Sequence, residues 1–99
     1  MTSIDKHNKI LFLIETVLPV LETEIAKAES GSEAIDSLRS LKFIRDRLED
    51  IGQMIRSGVI QKDECYRGSM GRLVVDTWPL NHPLGSKITE IEYEFYRPK

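Results

Sequence analysis

The stretch Ile88-Thr89-Glu90-Ile91-Glu92-Tyr93-Glu94-Phe95-Tyr96 decides how this chain is read. Taken as a strand it alternates, with Ile91, Tyr93 and Phe95 on one face and three glutamates on the other. Taken as a helix, Ile88, Ile91 and Phe95 join Leu84 in one narrow apolar stripe. Glutamate favours the helix, whereas tyrosine, isoleucine and phenylalanine favour the strand, so propensity leaves the two close to even. The surroundings tip the balance. The segments upstream read as helices, and a single late strand would have no partner for its backbone groups. The helical reading also turns Tyr93 away from the apolar stripe, whereas the strand reading packs it beside Ile91 and Phe95.

Upstream, Ile10, Ile14, Val17, Leu18, Leu21, Ile25 and Ala28 recur at helical spacing and predict a helix from about Asp5 to Glu29, with Ser3 or Asp5 as cap. Pro19 interrupts it. Proline removes one helical hydrogen bond and crowds the carbonyl of Glu15, so a kink or a split is expected there. Gly31 suits the end of this helix. Ser30 and Glu33 have capping-box spacing, with Ser32 as a competing cap, so a second helix is expected from there to about Arg56. Its main stripe is Ala34, Leu38, Leu41, Ile44, Leu48, Ile51 and Ile55. Phe43 and Met54 lie well round from that stripe, either against a second neighbour in the fold or on a partner surface.

A third segment runs from about Lys62-Asp63 to Thr77, with Tyr66, Met70, Leu73 and Thr77 on one face. Gly68 and Gly71 weaken it as an isolated helix but permit close backbone approach; a short strand at Leu73-Val74-Val75 is the alternative. Trp78-Pro79-Leu80-Asn81-His82-Pro83 is a loop, in which Asn81 or His82 can cap the last helix and Pro83 suits its first turn. The fold expected is an all-α, compact bundle of four to five helices in one domain over residues 1–99, the first helix kinked or split at Pro19.

Composition narrows the function. With 40% hydrophobic and 30% charged residues the chain has enough apolar content to fold. Its formal net charge of -2 is spread evenly, with no basic block to neutralise phosphates, so nucleic acid is not an expected partner. No apolar run reaches the length of about 20 residues that a membrane span needs. A lone cysteine, Cys65, and a polar N-terminus without a signal peptide's apolar core point to the cytoplasm. His7 and His82 sit at opposite ends with no metal-ligand spacing, and neither forms a nucleophile pair with Cys65 that has an oxyanion device. Gly68-Ser69-Met70-Gly71 is too short for a phosphate cradle. No catalytic, cofactor or metal residue is therefore expected.

Two stretches carry a resemblance. Ser40-Leu41-Lys42-Phe43-Ile44-Arg45-Asp46-Arg47-Leu48 has leucine, any residue, aromatic, isoleucine, arginine and a later leucine. Gly68 to Trp78 is a glycine-containing start, a small apolar run, then Asp76 and Trp78; a proline-bearing loop and a late Glu94-Phe95-Tyr96 cluster follow. In this order, over roughly residues 8–96, the chain resembles the small helical immunity proteins of bacterial type VI secretion, whose best-known member neutralises an NAD-hydrolysing toxin. It departs from that pattern at Pro19 and at Trp78-Pro79-Leu80, where the family is more acidic.

The resemblance implies a non-enzymatic, cytoplasmic inhibitor that binds the toxin domain of a secreted effector and occludes its active site. Helical geometry then nominates the contact residues. Tyr93 points away from the apolar stripe, Tyr96 and Glu90 flank it, and Glu94, Asp76 and Trp78 extend the patch, with the carboxylates set to meet a basic toxin cleft. The competing expectation is a helical adaptor that homodimerises through the apolar arc of the second helix.

Overall fold

In a computed structural model, which describes residues 3–79 and 82–97, the ITEIEYEFY stretch is helical throughout. Its helix begins at Pro83, where His82 Nδ1 accepts the Leu84 N–H at 3.2 Å and proline occupies the first turn. Leu84, Ile88, Ile91 and Phe95 are all buried, as their spacing predicts. Asn81, the other candidate cap, lies outside the described residues, as do the side chains of Ser3 and Asp5.

Among the described residues four α-helices and one short 3₁₀ turn result: α1 (Ser3–Glu29), α2 (Leu38–Ser57), the turn (Glu64–Tyr66), α3 (Ser69–Thr77) and α4 (Pro83–Tyr96). No strand occurs among the described residues, and Leu73-Val74-Val75 is helical. α1 is the spine. At about 1.5 Å per residue it runs ~40 Å, nearly the length of the 43 × 23 × 23 Å molecule. It packs along both α2 and α4, and α3 rests on α4 and the 3₁₀ turn. Ile10, Ile14, Val17, Leu21 and Ile25 from α1 meet Leu41, Ile44, Leu48 and Ile51 from α2 and the stripe of α4 in one core.

Of the kink or split expected at Pro19, the split does not occur, because α1 is a single uninterrupted helix. Pro19 and Glu15 both lie on its exposed side, where water can serve the carbonyl that proline leaves unbonded. α2 starts later than its capping-box spacing suggests, at Leu38, with the Ser37 hydroxyl accepting the Ser40 N–H. The intervening residues are held without helix. Glu24 accepts the Ile35 N–H at 2.9 Å, and Asp36 accepts both the Ser37 N–H and the Trp78 indole N–H. Burial pushes the Glu24 carboxyl up, but the Ile35 hydrogen bond and nearby Lys27 outweigh it, and its pKa ends below the usual value.

The third segment is also shorter than its periodicity suggests. Gly68 adopts φ 76, a left-handed conformation that ends one turn and starts α3. Residues 59–68 instead form a strap across α2. Tyr66 tilts against Phe43 with ring centroids 6.2 Å apart, and the Gln61 N–H points to Met54 Sδ at 3.3 Å. Phe43 and Met54, the apolar groups on the wide arc of α2, are thus half-covered from within the chain.

Candidate partner-binding surface

Tyr93 is 63% exposed, on the opposite side of α4 from the core stripe, with the Arg97 guanidinium 5.8 Å from its ring. Asp76 is exposed on α3 and has no ion pair among the described residues. The flanking glutamates are already engaged. Glu90 pairs with Lys9 at 2.9 Å, and Glu94, largely buried, pairs with Arg97 at 2.9 Å and Lys9 at 3.5 Å. The Glu90 hydrogen bond and charge, with Glu94 behind it, raise the Lys9 pKa. These two carboxylates tie α4 to α1 and to its own last turn; they do not form a free acidic face.

Tyr96 does not flank Tyr93 on the outside. It is 5% exposed, because the strap folds over it. Its hydroxyl donates to the Asp63 carbonyl at 2.9 Å and accepts from Arg47 Nη2 at 3.4 Å, while Arg67 donates to its carbonyl at 3.0 Å. Burial raises the Tyr96 pKa; Glu92 and Asp63 add to the rise, and Arg47 opposes it. Arg47 lies 4.2 Å over the Tyr66 ring, and its buried Nε has no hydrogen-bond partner among the described residues. Trp78 is likewise enclosed. Its ring plugs the end of the α3–α4 pair, edge-on to His82, and its indole holds Asp36. Trp78, Glu94 and Tyr96 therefore hold the fold together, and of the six nominated residues only Asp76, Glu90 and Tyr93 present much surface.

Sequence reading missed Glu92. It looks like one more solvated glutamate, yet it is 6% exposed and accepts both the Met70 and Gly71 N–H groups at 3.0 Å. The available signal was Gly68, a cap position without a side chain, which leaves the first N–H groups of α3 to be served from elsewhere. Gly71 and Gly85 let the two helices approach. A Cβ on Gly71 would lie 3.1 Å from Glu92 Oε1, and one on Gly85 would lie 2.8 Å from Val74 Cγ1.

The seam has an outer side. Gly71 meets Thr89 there. The helices run antiparallel, so Val75, 77% exposed and one turn on from Gly71, lies toward the connecting loop, whereas Tyr93, one turn on from Thr89, lies toward the other end. Two large apolar side chains thus stand exposed toward opposite ends of a rigid helix pair, Tyr93 with Arg97 beside it and Val75 with Asp76 next in sequence.

A second feature lies across α3. The strap holds α2 and α3 apart, leaving a cleft of about 550 Å³ lined by Arg39, Phe43, Arg67, Ser69, Arg72 and Leu73 among others. Cys65 also borders it, exposed; the Asp63 carboxylate beside its thiol raises its pKa and makes it a poorer nucleophile at neutral pH. Among the described residues no group of three or more His, Cys, Asp or Glu side chains stands where it could hold a metal ion, and no helix is long and apolar enough to cross a membrane.

Comparison with protein families, with curated proteins and with solved structures finds no match in any of the three.

Proposed function

We propose that this chain is an immunity protein that binds the toxin domain of a cognate secreted bacterial effector, an NAD-degrading toxin, in the cytoplasm and occludes its active site. The observation that carries the reading is the outer side of the α3–α4 pair. Tyr93, 63% exposed, projects from a rigid scaffold beside Arg97, with Val75, 77% exposed, toward the other end of the pair, and exposed tyrosine and arginine are enriched in binding hot spots. The order of motifs along the sequence supplies the class of partner. An inhibitor of this kind needs a stable framework and one complementary surface. Glu92 and the paired glycines lock α3 to α4, so the presented residues are held before the partner arrives and little ordering cost remains at binding.

The test is co-expression. A bacterium producing the toxin domain encoded beside this gene should stop growing, and adding this chain should restore growth and NAD levels. Failure of the wild-type chain to bind that domain or to restore growth rules the reading out.

A further inference from the structure

Arg39 and Arg72 stand where the backbone disfavours a cation. Arg39 is the second residue of α2, and Arg72 lies at the end of the first turn of α3. A helix N-terminus carries partial positive charge, so acidic side chains stabilise it and cations weaken it. Neither first turn contains an acidic residue. Arg45, Arg56 and Arg97 each reach a carboxylate, whereas Arg39 and Arg72 have no ion pair among the described residues. Both line the same cleft, where Arg67 adds a third guanidinium, Phe43 and Leu73 supply apolar surface, and no Asp or Glu is among the described lining residues. Arg67 is already held by Glu64 at 3.1 Å, and the first N–H groups of α3 are taken by Glu92. The unmet charge therefore belongs to Arg39 and Arg72.

We infer that this cleft docks an acidic segment of the toxin, whose carboxylates pair with Arg39 and Arg72 while an adjoining apolar side chain rests on Phe43 and Leu73. The inference rests on the immunity reading and reverses the polarity expected from sequence. Glu90 and Glu94 are spent on Lys9 and Arg97, so the charges left unpaired at this site are cationic. Guanidinium forks suit carboxylates, and arginine beside an aromatic floor is a frequent anchor in protein interfaces. A protein partner fits better than a nucleic acid, because the chain as a whole carries a net charge of -2 and would repel a phosphate backbone outside the cleft. Arg72 precedes Val75 by three residues on the exposed side of α3, and Tyr93 stands on the adjoining helix α4, so one partner large enough to cover α3 can engage both.

The experiment measures toxin-domain affinity at low and high salt for the wild-type chain, the double variant R39E/R72E and the charge-keeping R39K/R72K. Among the described residues neither arginine side chain has a hydrogen bond or ion pair, and acidic residues suit both helix starts, so the R39E/R72E melting temperature should match or exceed that of the wild type. We expect R39E/R72E to bind at least about tenfold more weakly with a flatter salt dependence, and R39K/R72K to recover part of the loss. If the wild type binds and R39E/R72E binds equally well, the cleft is not the docking site and the immunity reading stands. If the wild type does not bind the toxin domain, the immunity reading falls and this inference falls with it.

Discussion

At Glu92 one buried carboxylate accepts two backbone N–H groups from a neighbouring helix. Hydrogen bonds to a charged acceptor contribute about 1.5–3 kcal/mol each, and donors left buried and unpaired carry a further cost. Glu92→Ala should therefore lose at least about 3 kcal/mol in denaturant unfolding, and amide exchange should quicken first in α3. The glycines separate by the same local reasoning. Gly85→Ala would press a methyl group against Val74 at 2.8 Å and Trp78 at 3.2 Å. That overpacking costs about 1–3 kcal/mol and exceeds the gain in helix propensity, so a lower melting temperature is expected. Gly52→Ala meets only the movable tip of Arg56 at 3.1 Å and ordinary contact with Ile14, so it should raise stability by about 0.5–1 kcal/mol. Thermal melts of the two variants should move in opposite directions.

The elements show what the sequence could tell and why it stopped. α1, α4 and the body of α2 were legible, because four-three spacing of Ile and Leu marks a buried face wherever a helix crosses a core. The start of α2 and the strap were not. Both are fixed by partners distant in sequence: Glu24 on Ile35, Trp78 on Asp36, Tyr96 on Asp63. Helical geometry correctly put Tyr93 outside, but it counted Tyr96 as exposed because nothing in the periodicity signals a strap lying over it. Tyr96 gives the strap a pH dependence. Its folded pKa lies above the ordinary 10.0, so its contribution is complete below that value and is lost as pH rises toward the folded value. Melting temperatures measured from neutral to strongly alkaline pH should fall more steeply for the wild type than for Tyr96→Phe, which keeps the ring and removes the titrating hydroxyl.

Across the whole molecule, a long spine carries two satellites, and α3 sits between the two surfaces that remain unclaimed. One carries Tyr93 beside Arg97, with Val75 and Asp76 further along the pair; the other is cationic around Arg39 and Arg72. Ion pairs absorb Glu90 and Glu94, and burial absorbs Trp78 and Tyr96, so what the region nominated from sequence still offers a partner lies on these faces beside α3. The central claim is that the Tyr93 face binds a toxin, and Tyr93→Ala tests it most directly by calorimetric titration against the toxin domain. Tyr93 is 63% exposed, so the variant should fold as the wild type does. The account predicts a dissociation constant raised by about 30-fold or more, the ~2 kcal/mol of a hot-spot residue. An unchanged dissociation constant in the folded variant would contradict it.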